Sequence, residues 1–566
     1  MTLRIRWNGD GRTGPDPRPL PGRLLVLLVT VALALVAGAC GGGGGGDDEP
    51  PIGNAGAVVD DGPAQPGGRI VYGVSSETDG WNPSNSKWAP SGNLIARTFF
   101  DTLTAYDADL VARPNLAERL TPNEDHTRWT ITLRPGVTLH NGRPVTAEVV
   151  KENFEFLKAS VLTSSAFEPI ESFATAGELD VVVTMKRPWV NYPYALATQI
   201  GVVADPDWLR SGSNTNPIGT GPFTFVEWIP DSKLVVRKNP NYWRTDATGV
   251  RLPYLDEIEF RPAPEAESRG AGLEAGNLDL IQTSSSGQIK QFTEAGLRGE
   301  YQVFTDAGAE TTEVFIQLNT MVPPFDDPDA RRALALATDT ETYVQVLEQG
   351  LFEPARGPFA PGSRWYTETD YPTYDPSAAE ELVERVKARS GGEFRFEVFG
   401  PPDAHALQGL QLLQQQWKEV GIEMTIEPLE TAQLITRVAT GDYQATLWQQ
   451  FASPHPLGDS IWWHPNTAKP IPEIALNFAR NRNPRIGDAL DRARETTDPA
   501  EETRLYQEVQ RELAADIPYI WLYHTRISVV ASTDLVNVVH YTLPGGERGL
   551  PLQDGSHPLW QVWRRG

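Results

Sequence analysis

A strand, a helix and a second strand in tandem around residue 400 limit the fold of this chain more than any other stretch. Phe394, Phe396 and Val398 alternate with charged residues, the pattern of a strand with one buried face. Leu407, Leu410, Leu413, Trp417 and Val420 then fall on one face of a helix, which Gly421 can end. Ile422, Met424 and Ile426 resume the alternation. Strands joined through a crossover helix run parallel, and a parallel sheet needs helices packed over it. The later part of the chain therefore reads as α/β. Asp327-Pro328, Asp375-Pro376 and Asp498-Pro499 mark three more helix starts there. In each, the Asp carboxylate accepts N–H groups that the first turn leaves open, and Pro has no N–H to leave unpaired. No repeat of solenoid or propeller length recurs.

The earlier part carries shorter elements. Ile70, Tyr72 and Val74 alternate as a strand, as do Trp129, Ile131 and Leu133, and Asn141-Gly142 is a hairpin-type turn signal. Thr146 can cap a helix bearing Val149, Val150, Phe154 and Leu157 on one face, and Leu179–Met185 is a strand closed by Pro188. With 566 residues, 40% of them hydrophobic, the chain is long enough for two to four domains.

The first 67 residues belong to none of them. Leu24–Val36 is an apolar run behind Arg18 and Arg23, too short to cross a bilayer core, which takes about 20 residues. A basic stretch, a short apolar run and small residues make a secretory signal, predicted to span 1–39. Ala37-Gly38-Ala39-Cys40 resembles the lipobox of bacterial lipoproteins, with Ala37 where Leu is commoner. Cys40, the only cysteine, is the expected lipidation site; cleavage at Ala37-Gly38-Ala39 with an unmodified Cys40 is the alternative. Residues 40–67 are rich in Gly, Pro and Asp and are expected to be a flexible tether.

Net charge is −25, and an acidic surface repels phosphate backbones, so nucleic acid is not an expected partner. One thiol rules out an internal disulfide and Cys-based zinc sites. No H-E-x-x-H, G-x-S-x-G or G-x-x-x-x-G-K motif is present, and an enzyme is not expected. In Gly219-Thr220-Gly221 a nucleotide loop is countered by Pro222 and by Thr224 at the third glycine position, which leaves a structural turn. His455 and His464 lie near Trp462 and Trp463, but Pro456 and Pro465 mark a loop, and surface or packing roles outweigh metal ligation. No cofactor or metal is implied.

Four blocks in order carry a resemblance. The first runs from Phe100-Asp101-Thr102-Leu103 through Arg113-Pro114-Asn115-Leu116-Ala117-Glu118, Trp129–Arg134 and Leu139-His140-Asn141-Gly142 to Val145–Val150. The second joins Asn216–Phe223 to Asn239-Pro240-Asn241-Tyr242-Trp243; the third joins Asn319 to Pro324–Pro328 and Arg331–Ala337; the last holds Leu505-Tyr506-Gln507 and Ile517-Pro518-Tyr519-Ile520. Together they resemble family 5 extracellular solute-binding proteins, with Asn141 where Asp is usual. The resemblance implies an α/β, periplasmic-binding-protein-like two-lobe clamp (type II, three-domain variant) with a hinge and an interlobe cleft. Residues 68–100, 204–310 and 521–566 would form the core of lobe 1, 101–203 a domain inserted in it, and 311–520 lobe 2.

It also implies a function: an extracytoplasmic, monomeric receptor, lipid-anchored to the cell membrane, that captures a peptide-like solute and hands it to the permease and ATPase of an ABC importer. An oligosaccharide or other neutral-solute receptor and a chemosensory binding protein are the alternatives; a secreted hydrolase finds no motif. The family's ligand segments correspond to Ser86–Gly92, with Lys87, Trp88 and Ala89, and to Leu447–Asp459, with Trp448, Gln449, Gln450 and Phe451. The family's dipeptide receptors hold the ligand termini with an Asp and an Arg. Ala452 and Gly400 stand at those positions here, so a free dipeptide is not the expected ligand, although Asp459 or Asp442 is near enough in sequence to supply the acidic charge.

Overall fold

The computed structural model describes residues 62–306, 312–450 and 453–566, with the backbone alone at 431 and 432. The expected signal segment, Cys40, Phe451 and Ala452 lie outside the described residues.

Two large sheets organise the chain. The first has seven strands in the order Gln302–Thr305, Ser528–Ala531, Leu280–Thr283, Arg69–Val74, Glu257–Pro262, Lys233–Lys238 and Phe223–Ile229. Arg69–Val74 sits in its middle, parallel to both neighbours, and Ile70, Tyr72 and Val74 are buried, as their alternation predicts. The second sheet has six strands in the order Glu353–Pro354, Tyr519–Thr525, Thr312–Leu318, Ala445–Gln450, Arg395–Gly400 and Glu423–Pro428. Its last two strands are parallel, Arg395 opposite Glu423 through Gly400 opposite Pro428. The helix Ala404–Glu419 joins them and buries Leu410, Leu413 and Trp417. This is the βαβ unit read from the sequence. The indole of Trp417 donates to Thr338 Oγ1 at 3.0 Å, which gives its buried N–H a partner. Asp327, Asp375 and Asp498 cap their helices through Asp329 N, Ala378 N and Ala500 N.

A smaller four-stranded antiparallel sheet, in the order Ala117–Pro122, Arg128–Leu133, Asp180–Met185 and Ile170–Thr175, is covered by the helix Ala147–Ala159. Thr146 caps that helix through Val149 N, as its sequence suggests. The family-type turns serve packing. The buried Asp101 accepts Tyr242 Oη and Trp243 Nε1, each at 2.9 Å, and its own N–H donates to Thr220 Oγ1. A Cβ on Gly221 would lie 2.4 Å from the Phe99 carbonyl carbon, so Gly219-Thr220-Gly221 is a close backbone approach rather than a phosphate loop.

Two boundaries differ from expectation. Ala64 packs against the apolar cluster that includes Tyr254 and Trp560, and Gly67 N donates to Tyr254 O, so the folded body takes in residues assigned to the tether. The boundary placed at Trp521 falls inside Tyr519–Thr525, a strand hydrogen-bonded within the second sheet. The chain crosses between the large sheets twice, from Thr305 toward Thr312 and from Thr525 to Ser528. The four strands at these crossings are paired antiparallel: Thr305 faces Ser528 in the first sheet and Thr312 faces Thr525 in the second. Thr305 Oγ1 and Ser528 Oγ lie 2.9 Å apart, and Arg526 Nη1 donates to Asp306 O. The strand ends on either side of the two crossings are thus paired with one another.

Candidate functional site

The face of the second sheet next to these crossings is built in rows. Register places Gln450, Glu313 and His524 in one row, Trp448, Phe315 and Trp521 in the next, and Thr446, Gln317 and Tyr519 in the third. Side chains opposite one another in a ladder share a face, so two aromatics stand between polar rows. Above this face lies the segment around Trp462, Trp463 and Phe478. Trp448 and Trp462 both contact Phe478, at ring separations of 5.3 and 5.5 Å. Tyr443 Oη donates to Phe478 O at 2.7 Å, and the buried Asn477 side chain donates to Trp463 O at 3.1 Å. Arg480, buried as well, spends its guanidinium on the carbonyls of Lys469, Ala439 and Glu473. The fastening is hydrogen bonding to backbone, which fixes a segment that otherwise holds only the short helices Ser460–Trp463 and Pro465–Thr467. Between roof and sheet is a small concavity lined by Glu313, Phe315, Gln317, Gln450, Trp462 and Trp521 among others.

The residues expected to meet ligand divide. Gln450 lines the concavity, and Trp448 supports its roof from the neighbouring row. Gln449 pairs with Val314, on the opposite side of the pleat. Lys87 is exposed, with its backbone N–H on Asp79 Oδ1, and Ala89 is the residue before the helix Pro90–Phe99. Trp88 is 9% exposed, stacks on Phe100 at 6.0 Å and donates its indole N–H to Gly80 O at 3.1 Å. It belongs to the core of the first large sheet. Gly400 ends its strand, and a Cβ there would stand 2.7 Å from Leu410 Cδ1. Glu313, Phe315, Gln317, Trp462 and Trp521 were not foreseen as lining residues. The usable signal was a Glu and a Gln at alternating positions of an otherwise apolar, aromatic strand.

A second arrangement joins the inserted segment 101–203 to the body around residue 500. Val190 N donates to Arg494 O at 2.9 Å and Asn191 Nδ2 to Glu502 Oε1 at 3.0 Å. Arg187 reaches Asp491 and Glu495, and Leu457 packs among the inserted segment's apolar residues. His455, 1% exposed, is central to this seam. Its ring lies 4.2 Å from that of Tyr194 and also touches Trp365 and Tyr506. Nδ1 accepts Leu457 N at 3.2 Å, so in the neutral ring the proton sits on Nε2, 3.2 Å from Glu502 Oε1. Burial pushes the His455 pKa down against the opposing pull of Glu502. Burial also pushes Glu502 up, but His455 and Asn191 outweigh it and hold the carboxyl below its ordinary value. His464 is occupied elsewhere, between Asn466 N and Asp491. Among the described residues no group of three or more His, Cys, Asp or Glu is placed to hold a metal ion.

Known proteins share this architecture. The chain is 27% identical over 468 residues to the glutathione-binding protein GsiB of Pectobacterium atrosepticum, a match covering 80% of this chain and 87% of that one. Among solved structures, the periplasmic binding protein DppA of Helicobacter pylori, in complex with the peptide STSA, superposes with a TM-score of 0.77 at 21% identity, over 89% of this chain and 99% of that one. The oligopeptide-binding protein AppA of Bacillus subtilis, in complex with a nonapeptide, gives 0.76 at 21% identity, over 89% and 100%. The fold is the mixed α/β clamp of the periplasmic binding proteins, as the sequence motifs implied. Residues 112–469 match the middle region of the bacterial extracellular solute-binding proteins of family 5, and with that span matched, the chain belongs to this family.

Proposed function

We propose that this protein is the extracytoplasmic substrate-binding component of an ABC importer, capturing a peptide-like solute between two lobes and delivering it to the membrane permease. The observation that carries the reading is the pairing of strand ends where the chain passes twice between two large sheets, Thr305 with Ser528 and Thr312 with Thr525, in a chain of this family. One lobe is the seven-stranded sheet with the inserted domain 101–203; the other is the six-stranded sheet, extended at its end to Thr525. Ligand contacts in both lobes favour the closed arrangement over the open one. The role is binding rather than catalysis. Cys40 carries the lipid, residues 40–61 tether the body outside the membrane, and the protein works as a monomer. No helix among the described residues is long and apolar enough to cross a membrane.

The ligand site centres on Gln450 and the aromatic concavity, while Trp88 holds the loop that bears Lys87 and Ala89. Crowding by Leu410 agrees with a glycine at position 400, where dipeptide receptors place an Arg. The ligand is therefore a peptide longer than two residues or a modified one, not a free dipeptide. A neutral solute such as an oligosaccharide is the second reading, favoured by the aromatic lining. Calorimetric titration with dipeptides, tetrapeptides and oligosaccharides tests both. Saturable binding of a tetrapeptide and none of a dipeptide is expected; tight binding of unmodified dipeptides overturns the ligand assignment.

A further inference from the structure

The inserted segment 101–203 is attached on two sides, and the attachments differ in kind. Toward the first large sheet the chain is continuous at both ends, and buried hydrogen bonds reinforce the join. Asn153, fully buried, donates to Ala204 O at 2.7 Å and accepts Ala204 N at 3.0 Å, and Ala204 lies in the core of that sheet. Gln199 Nε2 donates to Pro83 O and Ser86 O. Toward the body around residue 500 the join is non-covalent. The helices Pro484–Glu495 and Pro499–Asp516 on that side bury Leu490 and Leu505 in the core of the second large sheet, whereas Trp189 and Tyr192 belong to the inserted segment's own core. Between them stand the Val190–Arg494 and Asn191–Glu502 hydrogen bonds, Arg494 at 5.4 Å from the Trp189 ring, and the Tyr194–His455 ring contact. Bending at the crossings that moves one large body away from the other breaks these contacts and no covalent bond, and it leaves each core intact.

We propose that this seam is a latch of the clamp, made when the lobes close and parted when they open, through which residues that do not touch the ligand set how tightly it is retained. The proposal rests on the reading of the protein as a two-lobe receptor with 101–203 in one lobe, and adds a remote control of affinity to it. None of Val190, Asn191, Arg494 and Glu502 lines the concavity. A contact made only in the closed arrangement raises the closed fraction, and apparent affinity rises in proportion to that fraction.

Hydrogen exchange of the full chain tests the latch without any variant. The Val190 amide, whose acceptor lies across the seam, is expected to exchange at least about tenfold faster than the Ile131 amide in an inner strand of the inserted sheet. It should slow when the tetrapeptide Ala-Ala-Lys-Ala is added. Asn191→Asp sets a second carboxylate against Glu502, so it should speed Val190 exchange and weaken the peptide about tenfold. Adding Glu502→Gln, whose amide can donate to that carboxylate, should restore both. Thermal unfolding checks that the variants fold. A Val190 amide as protected as that of Ile131 marks permanent packing and overturns the latch, and peptide binding that persists then leaves the receptor reading standing. Unchanged peptide affinity in a folded Asn191→Asp overturns the latch as well. Fast Val190 exchange without any peptide binding supports the latch and overturns the peptide reading.

Discussion

Two segments of this chain were expected to meet ligand from their resemblance to the family, and the structure gives their aromatics different surroundings. Around Trp88 the aromatic is turned inward, its N–H taken by Gly80 and its ring stacked on Phe100. Around Gln450 the aromatics Phe315 and Trp521, buried as well, border a concavity between the sheet face and the Trp462–Phe478 segment. The difference lies in what each residue's neighbours leave free. Trp88 sits beside a helix start and a loop that closes on itself through Asp79 and Lys87, so its ring fills the gap beneath. Trp448 and Gln450 lie on one face of a strand, and the roof above that face is fastened through its own backbone. Correspondence in sequence locates a segment; what packs against each ring decides whether it fills a core or borders a concavity, since Phe315 and Trp521 are as buried as Trp88.

Variants can break this comparison. Trp88→Ala should cost about 3–5 kcal/mol of stability, as for a large buried aromatic, and leave the affinity of the folded fraction for Ala-Ala-Lys-Ala unchanged. Denaturant unfolding with parallel titration checks it; a lost affinity with unchanged stability reverses the roles of the two segments. Trp462→Ala should do the opposite, weakening that peptide about tenfold, or about 1.4 kcal/mol, with a smaller loss of stability.

The third test concerns the seam that holds the residues after Gln450 against the inserted segment. His455 has its pKa below the ordinary 6.5, so the unfolded chain binds the extra proton more readily than the folded one. Its contribution is therefore complete above 6.5 and declines as pH falls below that value. Glu502, lowered from 4.5, adds a further loss below 4.5. Melting temperatures measured from pH 8 down to 5 should fall, and less steeply in His455→Gln, whereas a flat profile in the parent chain excludes the seam as the acid-sensitive element. The smallest effect is expected at Arg187. It is 61% exposed, and its pairs with Asp491 and Glu495 are worth well under about 1 kcal/mol after solvent screening, so Arg187→Ala should change denaturant stability little.

Much of the fold was legible in the sequence because local signals and burial agree. The βαβ unit around Trp417, the Asp-Pro caps and the Thr146 cap follow from alternation, helical spacing and side-chain chemistry, all of which act within a few residues. The lining of the concavity was harder to read. Glu313, Gln450 and Trp521 meet through strand register and a β-bulge beside Phe315, across separations of 71 residues or more that no local pattern encodes. The return boundary was misplaced for a related reason: Tyr519–Thr525 and Ser528–Ala531 are both apolar and buried, and only pairing shows that they serve different sheets. His455 illustrates the same point, since its partners come from both sides of a seam assembled by the whole fold.

The paired strand ends at the two crossings have a mechanical consequence. Thr305 beside Ser528 and Thr312 beside Thr525 keep the two passages between the sheets close together, so bending across the line they share, near Arg526 and Ile527, is the motion expected of the bodies they join. A receptor that closes by such bending has no separate adjustment for each ligand; a bulkier ligand stops the rotation earlier. Closure angle thus becomes a gauge of what is held, and a membrane partner that engages both lobes could read that angle without touching the ligand.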